Sequence, residues 1–249
     1  MLGVVLAGGS GTRLWPNTMV LNKHIVRVGK LPMIEYPIYS LVRAGIKDIA
    51  IVSGGEHFEQ IERYLGNGSE RGVHFHYENQ NRANEKPKGI AHALSLVERL
   101  AGKENVFVIL GDNIIEDKLD FSEAPKIFLK KVKDPKRFGV AKIDEKKISY
   151  IIEKPEEYVS DFAVIGAYVY TSEVFEFIRT LKPSERGELE ITDVNNFYLK
   201  KGNLSYQKLK GFWSDAGTQN SILRADNLVR KSGLDDQIIG EFPFLDIQN

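Results

Sequence analysis

A chain of 249 residues, 42% of them hydrophobic, can bury a sizeable core without a metal or disulfide staple. It has no cysteine, which excludes a disulfide framework and thiol chemistry and fits a reducing compartment. Its 34 basic and 34 acidic residues cancel, so no bulk field favours nucleic acid or an anionic membrane, and any anion must be captured locally.

The first half alternates β-branched runs with helical patterns, as βαβ units around a mostly parallel sheet do. Strands are expected at residues 3–7, 49–53 and 73–77, and helices at 33–44, 58–65 and 90–100. Ile34, Ile38, Leu41 and Val42 share one face of the first helix, and Gly45 supplies its stop. His74 and His76 alternate with Val73, Phe75 and Tyr77; histidines at i,i+2 without a third ligand read as a solvated face rather than a metal site. Residues 106–110, Val-Phe-Val-Ile-Leu, are apolar throughout, as in a strand buried on both faces. Beyond Asp112 a lysine-rich helix is expected near 124–132, then strands near 140–143, 150–153 and 164–170.

From about Gly202 a strand, the turn GFWSDAG and a helix over 221–230 are expected, and residues 232–249 are weakly patterned, as an edge or interface tail would be. No repeat and no Pro/Ser/Gly linker interrupts the chain, so residues 1–230 are expected to form a single domain. The fold class is α/β, a Rossmann-like, mostly parallel mixed sheet flanked by helices. The only apolar run near the N-terminus is residues 4–7, and nowhere do about 18 apolar residues occur together. A cytoplasmic location is therefore expected.

Leu6-Ala7-Gly8-Gly9-Ser10-Gly11-Thr12-Arg13 follows the first strand, at the sheet edge where open α/β folds place ligands. Bare glycines let backbone N–H groups close on a phosphate. The Walker A ending Gly-Lys-Ser/Thr is missing, and Leu14 stands where a dinucleotide fingerprint needs its third glycine. Arg13 instead sets a planar positive fork beyond the loop, suited to polyphosphate oxygens. Lys23 is a candidate second cation. Asp112, closing the apolar strand, reads either as a helix N-cap or as a Mg²⁺ ligand, and Asp215 either as a second carboxylate or as a turn residue. Glu153 and Lys154 end a strand before Pro155; they suit a hydroxylated, phosphorylated ligand, or form an exposed pair pointing to opposite faces. Gln80 could pair with the edge of a base, and Gly89 opens the next helix.

These blocks, together with KLPMIEYPIYSLVRAGI, AVIGAYVYT and RGELEITDVN, occur in the order found in sugar-1-phosphate nucleotidylyltransferases. The resemblance covers residues 1 to 230 and is closest to the short glucose-1-phosphate thymidylyltransferases. It implies Mg²⁺-dependent transfer from dTTP to α-D-glucose 1-phosphate, giving dTDP-glucose and pyrophosphate, the first step toward dTDP-rhamnose. It divides the domain into a nucleotide part over about 1–115 and a sugar part over about 116–230. By this resemblance Leu6, Ala7, Gly8, Gly9, Gly11, Thr12 and Arg13 hold the triphosphate, with Lys23 assisting, while Gln80 and Gly89 read the base. Asp112 and Asp215 hold Mg²⁺. Gly139, Glu153 and Val164 line the sugar, and Lys154 and Arg186 bind its phosphate. A homo-oligomer, commonly a tetramer, is implied as well.

The sequence departs from the family pattern at Ile25-Val26-Arg27-Val28, where Leu-Pro is usual, in the charged stretch 81–88, and at Gln219, where histidine is commoner. Two alternatives stand beside this reading: a uridylyltransferase, since thymine and uracil differ by one methyl, and a catalytically silent nucleotide-sugar sensor regulating a partner subunit.

Overall fold

The computed structural model describes residues 1–55, 57–80 and 89–246. The first half forms β1 (Leu2–Ala7), β2 (Arg27–Val28), β3 (Leu31–Pro32), α1 (Glu35–Val42), β4 (Asp48–Ser53), α2 (Phe58–Leu65), β5 (His74–Asn79), α3 (Gly89–Ser95), α4 (Glu98–Ala101) and β6 (Val106–Leu110). The second half adds β7 (Asn113–Ile115), β8 (Lys126–Lys131), β9 (Gly139–Asp144), β10 (Lys147–Glu153), β11 (Phe162–Tyr170), α5 (Glu173–Ile178), α6 (Ile191–Lys200), β12 (Ser205–Lys208), β13 (Trp213–Asp215), α7 (Gln219–Ser232) and α8 (Leu234–Glu241).

The main sheet runs β10-β9-β11-β6-β1-β4-β5, with β8 and β12 attached through β11. Strands β6, β1, β4 and β5 are parallel, and β11 joins β6 antiparallel. This is the expected α/β sheet. β1 is wholly buried because helices cover both of its faces. Leu94 of α3, Val174 of α5 and Val194 of α6 pack on one face, and Ile38 of α1 and Ile61 of α2 on the other. Each such side chain stabilises the fold by about 1.5–3 kcal/mol on leaving water.

Three expectations are corrected. The helix expected near 124–132 is β8. Lysines at 126 and 130 have helical spacing, but Ile127, Phe128 and Leu129 are all fully buried, and the Lys126 ammonium, itself buried, pairs with Asp120 at 2.6 Å. The helix over 90–100 is broken into α3 and α4. The weakly patterned segment after 232 contains α8, whose Leu234 and Ile238 pack with Phe242 and Leu245 against Tyr36, Tyr39 and Val229. Gly233, at φ 71°, makes the turn between α7 and α8.

Register sets up the site. Leu6 of β1 lies beside Leu110 of β6, and the Gly111 N–H donates to the Leu6 carbonyl at 2.9 Å. The glycine loop and Asp112 therefore leave the sheet side by side.

Candidate active site

Past β1 the chain turns through Gly9 at φ 99° and Gly11 at φ 66°, backbone that glycine adopts without strain. Thr12–Leu14 then forms a single 3-10 turn carrying Arg13. Gly8 is bare for a different reason: a Cβ there would lie 2.5 Å from Gln80 Oε1. Gln80 is buried, and its backbone N–H is tied to the Ser53 carbonyl at 2.8 Å. A cavity of about 340 Å³ opens here, lined by Leu6, Gly8, Gly9, Arg13, Lys23, Gln80, Gly89 and Asp112. Thr12 instead faces a neighbouring hollow that shares Gly9 and Lys23. Ala7 and Gly11 shape the loop: the Ala7 carbonyl accepts from Ser53 Oγ, and the Gly11 carbonyl from Thr18 Oγ1. Residues 81–88 lie outside the described residues.

Asp112 is not a helix N-cap, because β7 follows it directly. Its Oδ2 meets Lys23 Nζ at 3.1 Å and its Oδ1 accepts from Asn113 Nδ2 at 3.1 Å. Burial alone would raise its pKa, but the Lys23 charge and these hydrogen bonds hold it at about 2. The carboxylate is therefore ionised at neutral pH. His24, next to Lys23, is buried beneath Gly111, and burial, aided by the Lys23 charge, lowers its pKa far below the usual histidine value.

A second cavity, of about 470 Å³, shares Arg13, Leu110 and Asp112 with the first and extends over the sugar-side candidates. Glu153, Gly139 and Val164 form a row across β10, β9 and β11: Glu153 pairs with Gly139, and Gly139 with Val164. A Cβ on Gly139 would stand 3.2 Å from both Glu153 Oε2 and Thr192 Oγ1. Strand alternation would send Lys154 to the face opposite Glu153, yet both line the cavity. Lys154 has φ 43°, which breaks the alternation just where the strand ends.

Asp215 also lines this cavity. It lies opposite Asn113 in the β13–β7 pair, and the Ala216 N–H donates to the Asp112 carbonyl at 2.8 Å. Asp112 and Asp215 thus supply carboxylates from adjoining chain segments, a hard oxygen donor set that fits Mg²⁺. Arg186 is the outlier. It pairs with Glu190 at 2.7 Å, stands 3.6 Å from Glu153, and is absent from the cavity wall. His74 and His76 both approach Asp48 on the exposed edge of the sheet, far in the strand order from β9 and β10.

Sequence reasoning missed several wall residues. Asn113 Oδ1 accepts from Trp213 Nε1 at 2.7 Å and from the Gly166 N–H at 3.0 Å, tying three strands together beside Asp112. Thr192 Oγ1 donates to Glu153 Oε2 at 2.6 Å. Thr192 lay inside the motif RGELEITDVN and Asn113 directly follows Asp112, but their partners are distant in sequence. Arg137 and Phe138 also line the wall, Phe138 meeting Trp213 edge-on at 5.1 Å between ring centres. Gln219, one of the departures, has a local role: its Nε2 donates to the Trp15 carbonyl at 2.9 Å.

A glycine loop, a half-buried carboxylate and converging cations at the carboxyl edge of an α/β sheet place the chain among proteins that handle phosphate groups. The chain belongs to the nucleotidyl transferase family, whose model matches residues 2–232. It is 42% identical over 243 residues to a glucose-1-phosphate thymidylyltransferase of Neisseria gonorrhoeae, covering 92% of this chain and 83% of that protein. A Bacillus anthracis protein assigned to the glucose-1-phosphate thymidylyltransferases, solved in complex with sucrose, matches with TM-score 0.86 and 48% identity over 92% of this chain and 96% of its own. A UDP-glucose pyrophosphorylase complexed with UDP-glucose matches with TM-score 0.79 and 25% identity over 93% and 98%. The family resemblance and the fold read from the sequence are borne out. Among the described residues no helix is long and apolar enough to cross a membrane.

Proposed function

We propose that the protein transfers a thymidylyl group from dTTP to α-D-glucose 1-phosphate, giving dTDP-glucose and pyrophosphate. The observation that carries this reading is the meeting of two cavities at Arg13, Leu110 and Asp112. One is bordered by the glycine loop and Gln80, the other by Glu153, Gly139 and Lys154. Their junction is where an α-phosphate and a sugar phosphate would have to touch.

A sugar phosphate is already an anion at neutral pH, so no general base is required. One of its oxygens attacks the α-phosphorus in line; the new P–O bond forms as the bond to the β-phosphate oxygen breaks, and pyrophosphate leaves with the electron pair. The protein's work is to align two polyanions and to offset their charge. Arg13 and Lys23 would meet the triphosphate, and Lys154 the sugar phosphate. Arg186 would join Lys154 by giving up its carboxylate partners. Asp112 and Asp215 would hold Mg²⁺, whose charge supports departure of pyrophosphate. Glu153, steadied by Thr192, would accept from sugar hydroxyls.

A second reading replaces dTTP by UTP, and the likeness to a UDP-glucose pyrophosphorylase favours it. One methyl in an apolar pocket is worth only about 1–3 kcal/mol. Pyrophosphate release measured with dTTP and UTP against glucose 1-phosphate and other sugar 1-phosphates tests both. The thymidylyl reading expects the highest kcat/KM with dTTP and glucose 1-phosphate. A preference for UTP moves the assignment to the second reading, and no release with any pair overturns both.

A further inference from the structure

Among the described residues the carboxylate of Asp215 has two guanidinium neighbours, of which one is in direct contact. Arg224, in the second turn of α7, donates from Nη2 to Asp215 Oδ1 at 2.7 Å and from Nε to Ser214 Oγ at 3.2 Å. Arg137 Nη2 stands 3.9 Å from the other oxygen, Oδ2. Ser214 is buried and bonds the Asp215 carbonyl at 2.8 Å. The helix that carries Arg224 is capped three residues after Asp215 by a reciprocal pair, Thr218 and Ser221. Strand β13, cap and helix therefore hold the guanidinium in fixed register over the carboxylate.

We propose that Arg224 is a positioning residue for the reaction. One prong of its guanidinium commits Asp215 Oδ1 while the other holds Ser214 Oγ, so that Oδ2, which Arg137 approaches only to 3.9 Å, is left to bind a divalent cation. The inference rests on the reading that Asp112 and Asp215 form that cation site. Charge alone predicts the opposite effect, because a guanidinium repels a dication and its removal would tighten binding. The Arg224 side chain is half exposed, at 49%, whereas that of Asp215 is 19% exposed, so substitution at 224 leaves the core intact.

The test is Mn²⁺ binding to the isolated full chain, by electron paramagnetic resonance and calorimetry, with circular dichroism as the check on folding. Wild type is expected to bind Mn²⁺, and Asp215→Asn to lose that binding. Arg224→Gln is expected to weaken it about tenfold, the usual scale for groups that orient a metal ligand. Arg224→Lys, which keeps the charge but loses the fork, is expected to show the same loss. In turnover assays Arg224→Gln should lower kcat while leaving KM for the sugar phosphate unchanged. Unchanged or tighter Mn²⁺ binding in folded Arg224→Gln, or full rescue by Arg224→Lys, overturns the positioning role while the cation site stands. A wild type that binds no Mn²⁺, or an Asp215→Asn variant that binds it normally, overturns the cation site and the inference together.

Discussion

Replacing His24 by glutamine should remove part of the protein's sensitivity to mild acid. His24 is 1% exposed and packs under Gly111, where a Cβ would come within 2.7 Å of its ring. Its backbone N–H donates to Asn22 Oδ1 at 3.0 Å, which identifies that atom as an acceptor. The ring Nδ1 lies 3.0 Å from the same oxygen and must carry the proton, while among the described residues Nε2 has no partner. Burial, reinforced by the Lys23 ammonium, therefore keeps the ring neutral, its pKa well below 6.5 despite the counteracting charge of Asp112.

The unfolded chain takes up a proton at this histidine near pH 6.5, and the folded chain only at much lower pH. Below that value the unfolded state binds more protons, so stability falls as pH falls, by about 1.4 kcal/mol per pH unit for one group. Between pH 7.5 and 5.5 the wild type should lose up to about 1.4 kcal/mol through His24, and His24→Gln should lose none of it. Urea unfolding of both proteins at the two pH values measures the difference, and losses shared with other groups cancel. Equal losses in the two proteins would refute the neutral, buried ring.

Other expectations follow from the glycine loop. Arg13→Ala should lower kcat by about 10² to 10³, the cost of one preorganised donor; a folded variant with wild-type turnover in steady-state assays would remove Arg13 from the mechanism. Gly8→Ala drives a methyl toward Gln80 Oε1, and the amide must move away. KM for dTTP should then rise by about fivefold, the scale of one neutral hydrogen bond, with KM for glucose 1-phosphate unchanged. A rise in both constants would indicate damage to the whole loop rather than to the base side.

The parts of the site that emerge from β1 and β6 were legible because they are local: glycines directly after one apolar strand, an aspartate directly after another. Parallel pairing then brings them together, with Leu6 beside Leu110. Glu153 and Lys154 could not be resolved from spacing, since strand periodicity separates adjacent side chains and only the left-handed turn at Lys154 reunites them. Asp112 was ambiguous for a related reason: a cap and a ligand look alike until the following residues prove to be a strand.

The misread β8 reflects a conflict between signals. Lysines usually mark solvent, but Lys126 is buried with Asp120 as its counter-ion, and that pairing is invisible to periodicity. Asn113 with Trp213, Thr192 with Glu153, and Arg224 with Asp215 were beyond reach because each joins segments or geometries that only the folded chain brings into contact. α8 was weakly patterned because Asp235, itself buried, interrupts its apolar face while its Oδ2 accepts from the Lys30 N–H at 3.0 Å.

The most direct test of the central claim, that two phosphorylated substrates meet at Arg13 and Asp112 and react without a covalent enzyme intermediate, is the stereochemical course at the α-phosphorus. With dTTP made chiral at that atom by sulfur substitution, a single in-line displacement by glucose 1-phosphate predicts a product of inverted configuration. Retention would require two displacements through a nucleotidyl-enzyme and would contradict the account.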